Sequence, residues 1–471
     1  MTVVQIAVLA LVAVVIGRLS RGRELALLAV SAYVVFWLQP VQQVVSLGFW
    51  MPVATLSLTI LAWLLTAPPG MRSWKSNWPA IAVLTGVALL MDANRYFKLD
   101  QIFVTSTPRI HFVLLALVGI AAAFFILTRF MKSGRLLLVG LFAIIILIFV
   151  FLKSPEIMKT TLGYLTAALG RDPGQPLVSI SWLGYSYLAF RILHTIRDRQ
   201  SGRLPSVTLG EYVNYVIFFP SFTAGPIDRI ERFIMELRSP LALDNEGWVD
   251  AGTRLFVGLF KKFVIAEMLS VISLSDIMVS QVKTTGWMWV FLYAYAFRIY
   301  FDFSGYTDIA IGLGRLIGIR LPENFSAPYL KPNLTQFWNS WHMTLTQWFR
   351  SYFFNPVTRL IRSAKRPWPV WLTILVTQVS TMVLIGMWHG ITWGFALWGL
   401  WHGLGLFIQN RWSDFARSRM PAWTQTRSGQ ILLNVIGVFL TFNFVTLGWL
   451  FFNLSTPEIA WQAMRKLFGL L

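Results

Sequence analysis

Residues 136–152 read LLLVGLFAIIILIFVFL, seventeen positions without a charged or hydrogen-bonding side chain, with Arg135 just before and Lys153 just after. Such a run is long enough to cross a hydrocarbon layer roughly 30 Å thick as a helix. Within lipid each segment must satisfy its own backbone polar groups, so the helix is the expected form. Comparable runs occur at about 2–17, 24–38, 49–66, 78–91, 111–128 and 178–194, then at about 251–274, 286–301, 304–319, 369–388, 391–408 and 431–453. Composition agrees: 56% of residues are hydrophobic, 15% aromatic and only 13% charged, with a mean hydropathy of +0.62. A soluble core cannot absorb that much apolar surface. The expectation is an all-α integral membrane protein, a polytopic bundle of about 11–14 spans. It reads as one domain over 1–471, with regular spans in 1–194 and a motif-bearing part in 208–453.

The net charge of +20 does not point to nucleic acid, because Lys and Arg fall in short clusters between apolar runs. Arg18, Arg21 and Arg23 fill the first loop, Arg72 and Lys75 the third, Arg129, Lys132 and Arg135 the fifth, and Arg197, Arg199 and Arg203 the seventh. The second loop, 39–48, carries no charge, and the fourth and sixth mix acidic with basic residues. The positive-inside rule then places the N-terminus outside the cytoplasm. The first run has no charged segment before it and no small-residue cleavage site after it, so it reads as a retained span.

After residue 200 the apolar stretches shorten and carry Gly, Pro and polar residues, a pattern tolerated only where backbone is buried in protein or lines a cavity. Residues 211–228 are a candidate re-entrant element. The chain has no Cys and five His, so each imidazole can be weighed alone. His111 and His194 sit at the ends of apolar runs and read as interfacial or packing residues. His402 falls inside a span and reads first as packing. His389, between Trp388 and Gly390 at a break between two apolar runs, has two readings: a structural imidazole bonded to a helix carbonyl, or a base that takes a proton from a hydroxyl. His342 follows Asn339 by three residues, which on a helix puts both on one face. An amide and an imidazole together can hold a thioester carbonyl, and a Trp-rich interfacial belt is the other reading. In 302–308, Asp302 and Asp308 with Ser304, Tyr306 and Thr307 interrupt an apolar region and must find partners. Arg298 and Arg315 are the candidates, and a buried network that fixes helix packing is the plain reading.

Four ordered motifs carry a family resemblance: Tyr300 to Gly312, Asn324 to Tyr329, Gln336 to Leu345 and Met387 to Gly394. Together they resemble the membrane-bound O-acyltransferase family, in particular its bacterial branch that D-alanylates lipoteichoic acid or O-acetylates alginate. The stretch 224–233 is similar to the D-alanyl branch, whereas 448–452 and the amphipathic segment after it are similar to the O-acetylating one. Ser340 and Ser351 depart from the family, which usually carries Arg and Asp there.

The resemblance implies helices around a central funnel, with His389 as general base toward an acceptor hydroxyl and His342 binding or polarising a donor thioester. Asn339, Trp338, Trp388, Asp302, Tyr306 and Asp308 are expected to position donor or acceptor. The donor would be acetyl-CoA or an acyl-carrier-protein thioester, with no metal and no permanently bound cofactor. The acceptor would be a polysaccharide, a teichoic acid or peptidoglycan, reached from the inner membrane, with a possible extracytoplasmic acyltransferase as partner and no nucleic acid. A transporter is the rival reading, but its two halves would carry corresponding interruptions, and here they fall only in the second half. A non-catalytic export scaffold is the third.

Overall fold

A computed structural model describes residues 1–42, 44, 46–97, 107–130, 134–168, 179–366, 368–417 and 419–470. Lys132, residues 98–106 of the fourth loop and residue 178 of the seventh run lie outside them. The described residues are helical, without strands and with one isolated bridge, Phe325 to Trp341. Among the described residues, six helices are long and apolar enough to cross a membrane: Leu47–Thr66, Trp74–Phe97, Ile110–Leu127, Gly134–Lys153, Val370–His389 and Arg427–Asn453. The chain is a multi-pass membrane protein.

The chain forms two compact units. The first comprises Met1–Leu255 and Ala310–Leu321. Its helices are α1 (Val3–Arg18), α2 (Arg23–Trp37), α3 (Leu47–Thr66), α4 (Trp74–Phe97), α5 (Ile110–Phe130), α6 (Gly134–Lys153), α7 (Pro155–Ala168), α8 (Tyr185–Gln200), α9 (Leu209–Ile217), α10 (Ile230–Arg238) and most of α11 (Asn245–Phe260). Burial separates them: 56% of the apolar window of α3 is buried, against 6% in α5 and 17% in α6. The last two therefore leave most of their surface exposed, and α3 packs inside the unit.

The seventh run corresponds to α8, which is not an apolar span but a largely buried, polar helix. It starts only after Gly184, whose left-handed φ of 70° turns the chain into the helix. Its Arg191 is 1% exposed. It is held by the carbonyls of Tyr215 and Val216 and by the carbonyl and hydroxyl of Ser221, at 2.6–3.2 Å. A charge so enclosed is stable only when its donors are used. The candidate re-entrant stretch begins as α9, which is capped by a reciprocal Thr208 and Glu211 box and buried at every position. It then turns at 218–224, and the carboxylate of Asp228 accepts a bidentate pair from Arg232 at 2.8 and 2.6 Å. His194 shares a 2.9 Å hydrogen bond with the Tyr215 hydroxyl, which makes it part of this packing.

The second unit comprises Phe256–Ile309 and Pro322–Leu471. It holds the end of α11, a π-helical turn at Lys261–Ile265, α12 (Ala266–Val271), α13 (Asp276–Gln281) and most of α14 (Thr285–Ile317). After these come α15 (Leu334–Trp338), α16 (Met343–Phe349), a second π turn at Arg350–Phe354, α17 (Asn355–Arg362), α18 (Val370–His389), α19 (Trp393–Arg417), α20 (Arg427–Asn453) and α21 (Pro457–Leu467).

The two runs expected at 286–301 and 304–319 are one helix, α14, without a break at Asp302–Asp308. The reason lies in α11 and the turn after it. Gly258 and Gly305 face each other so closely that a Cβ on either would come within 2.8 Å of the other's carbonyl oxygen. That approach brings Lys261 Nζ to 2.7 Å from Asp308 and Lys262 Nζ to 2.5 Å from Asp302. With lysines supplied by the neighbouring turn, the carboxylates need no irregular backbone. Of the two arginines expected as partners, Arg315 has its Nε 4.0 Å from Asp250 instead.

Candidate active site

The site is built from the ends of short elements in the second unit. His342 precedes α16 in a left-handed conformation, φ 43° and ψ 53°. That region is uncommon for a residue with a side chain and persists only when its surroundings dictate it. Here they do: Met343 N donates to Asn324 O, Ser326 N donates to Ser340 O, both at 3.0 Å, and Phe325 bridges Trp341 between them. This clamp fixes residues 340–343 against 324–326.

The His342 ring is 3% exposed. Its Nδ1 lies 3.2 Å from Asn324 Oδ1, and its Nε2 has no hydrogen-bond partner among the described residues. Burial pushes its pKa down to about 3, so the imidazole is neutral at ordinary pH. Phe303 of α14 meets the ring edge to face at 4.7 Å, and Trp388 lies at 6.0 Å.

His389 is the last residue of α18, and Gly390 leaves the helix in extended conformation, φ −176°. The expected break at this histidine is therefore present. The side chain is half-buried, unlike that of His342. Trp388 at 4.5 Å, Phe452 at 4.8 Å, and Phe395 and Trp398 at 5.9 Å surround its ring. Both imidazoles thus contact the indole of Trp388, one buried and one half-buried. An imidazole in such an aromatic wall is a group suited to exchanging a proton with a hydroxyl.

The other expected site residues distribute unevenly. Trp388 joins the two histidines. Trp338 does not: its ring packs on Trp398 at 5.6 Å and on His402 at 5.1 Å. His402 is fully buried among Trp338, Trp398, Phe444 and Trp449, as a packing residue would be. Asn339 does not share a helical face with His342, because α15 ends at Trp338 and the chain turns before α16. The Asn339 Oδ1 accepts instead from Arg350 at 2.7 Å. Ser340 donates its hydroxyl to Gln336 O at 2.7 Å. Asp302 and Asp308 pair with lysines, while Phe303 between them reaches His342. Tyr306 is half-buried one turn beyond Asp302 on the same helix. Sequence reasoning overlooked Asn324, Phe303 and Phe452. Each lies in a stretch that carries the family resemblance, Phe303 in 300–312, Asn324 at the start of 324–329 and Phe452 at the end of 448–452.

A family model for membrane-bound O-acyltransferases matches residues 103–456. The teichoic acid D-alanyltransferase of Streptococcus thermophilus is 33% identical over 288 residues, 58% of this chain and 68% of that protein. The probable alginate O-acetylase of Pseudomonas aeruginosa is 30% identical over 288 residues, 61% of this chain and 51% of its own length. The peptidoglycan O-acetyltransferase of Helicobacter pylori is 31% identical over 270 residues, 55% of this chain and 47% of its own. The chain thus spans about half the length of the two O-acetylating relatives. The matched region takes in α14, the Asn324 clamp, both histidines and the hairpin that carries the second. The chain belongs to the membrane-bound O-acyltransferase family, whose members are O-acyltransferases.

Proposed function

We propose that this chain moves an acyl group, acetyl or D-alanyl, from an intracellular thioester to hydroxyls of an extracytoplasmic cell-envelope polymer, with His389 as general base. The observation that carries the reading is the pair of imidazoles on one indole, of which His389 is half-buried at a helix end. The acceptor hydroxyl gives its proton to His389 as its oxygen bonds to the thioester carbon. The carbon–sulfur bond breaks and the proton passes to the leaving thiolate. No cysteine is needed, because the acyl group goes directly from donor to acceptor. His342 lies on the donor side. Asp302, Asp308 and their lysines, with Tyr306, hold the surrounding helices.

The relatives' names support a polymer acceptor: teichoic acid, an alginate-like polysaccharide or peptidoglycan. The donor is acetyl-CoA or an aminoacylated carrier protein, and an extracytoplasmic acyltransferase is a possible further partner. Purified protein in liposomes, offered labelled acetyl-CoA or a labelled D-alanyl carrier with each polymer, should transfer label from one donor. Transfer from neither donor to any of the three polymers would overturn the reading.

The protein sits in the inner membrane with its N-terminus outside in this reading, from the charge alternation of the first loops. A cysteine at Thr2 in intact cells should react with a membrane-impermeant maleimide. Reaction only after lysis would invert the orientation.

A further inference from the structure

We propose that Asn324 is a positioning residue that sets the tautomer of His342, so that the ring keeps a bare Nε2, a proton acceptor, within the site. This rests on the reading of His342 as a site residue and changes what it does there.

The assignment follows from which atoms can donate. An amide oxygen and nitrogen are easily exchanged in a structure, and the network must decide between them. Here it does, because the backbone N–H of Thr344, which can only donate, points at Asn324 Oδ1 at 3.1 Å. The Thr344 hydroxyl donates to the same oxygen at 2.9 Å. Oδ1 is therefore the carbonyl oxygen, an acceptor only. The ring nitrogen facing it at 3.2 Å, His342 Nδ1, must carry the hydrogen. In a neutral imidazole the other nitrogen then bears a lone pair. That nitrogen, Nε2, is the one without a partner among the described residues.

The orientation is fixed as firmly as the tautomer. Asn324 O accepts from Met343 N, so the residue grips the chain on the C-terminal side of His342 with its main chain and the ring itself with its side chain. The left-handed backbone of His342 sets where the ring leaves the chain, and the perpendicular Phe303 ring packs against it at 4.7 Å. Partners that fix the far nitrogen of an imidazole commonly decide what the near one does. A bare Nε2 cannot donate to a thioester carbonyl, so His342 does not polarise the donor by hydrogen bonding. It accepts a hydrogen bond or a proton from a hydroxyl or an N–H.

The test reads the tautomer directly. Protein labelled with 15N-histidine and reconstituted in bilayers gives ring-nitrogen signals in solid-state NMR, with His342 assigned by difference against His342→Gln. The expected result is a protonated Nδ1 and a bare Nε2 in the wild type, and the same pattern in Asn324→Asp, which keeps an acceptor oxygen. Asn324→Leu, similar in size and without that acceptor, should lose the pattern and lower kcat at least tenfold, with Asn324→Asp restoring most of it. A wild-type spectrum with Nε2 protonated would overturn the proposal. So would a folded Asn324→Leu variant with the wild-type pattern. If Asn324→Leu does not fold, the wild-type and Asn324→Asp spectra decide alone. The spectra need no acyl transfer, so a wrong tautomer and a wrong activity are separable: loss of the former leaves the reaction untouched, and an inactive His342 with the expected tautomer removes only the functional reading.

Discussion

Alanine at His389 is expected to lower polymer acylation by about 10²–10⁴-fold, the range by which a positioned acid–base group accelerates proton transfer. The same substitution at His342 is expected to cost at least about 10²-fold. The two losses should not multiply, since groups acting on one reaction fail as a unit. The fold should tolerate both changes. His389 ends its helix, so truncation removes ring contacts with Trp388, Phe395, Trp398 and Phe452 and leaves the main-chain hydrogen bonds of α18 in place. The left-handed turn at His342 is held by main-chain bonds from Met343 and Ser326. Initial rates in liposomes, with thermal midpoints measured beside them, separate chemistry from folding. A folded His389→Ala variant that acylates at the wild-type rate would remove the base from the mechanism.

The long apolar runs were legible because lipid imposes one rule on every residue of a span, and length and composition suffice to apply it. Where side chains answer to other helices, that rule misleads. Asp302 and Asp308 with Ser304, Tyr306 and Thr307 read as an interruption, yet Gly305 among them is where α11 comes close, and that approach supplies Lys261 and Lys262 to the two carboxylates. The sequence shows the carboxylates but not which turn faces them. Arg191 likewise lies in a run that resembles a span, and its compensation comes from carbonyls more than twenty residues later. At the candidate site, the three-residue spacing of Asn339 and His342 implies a shared face only if the helix continues. It does not, because His342 adopts φ 43°. The amide that meets the imidazole is Asn324, brought by an isolated bridge that leaves no periodic signal. The break at His389 was legible, since Gly390 separates two apolar runs. The contact of both imidazoles with Trp388 was not, because it depends on tertiary packing between distant segments.

Valine in place of Gly399 is expected to cost more than about 3 kcal/mol, above the ordinary penalty for an overpacked core, and to leave little folded protein. Gly399 and Gly403 are spaced as in the small-residue motifs that let membrane helices approach closely, and α19 uses both against α18. A Cβ at Gly399 would lie 2.5 Å from Met382 O and from Val383 Cα, and one at Gly403 would lie 2.7 Å from Val379 Cα. From the opposite helix, a Cβ at Gly386 would stand 2.2 Å from Phe395 O. Each obstacle is main chain, which cannot rotate aside as a side chain can, so the hairpin would have to part along its length. Trp398, adjacent to Gly399, packs on His389 at 5.9 Å and on Trp338 at 5.6 Å, so parting the helices would also displace the wall behind the candidate base. Gly252 in α11 is the control, because a Cβ there meets nothing within 4 Å. Alanine at that position should be neutral or stabilising by up to about 1 kcal/mol, the helix-propensity difference between the two residues. Thermal midpoints and gel filtration in detergent would read both variants. A Gly399→Val protein with the wild-type midpoint would mean that α18 and α19 do not meet backbone to backbone, and that His389 is held by something other than this hairpin.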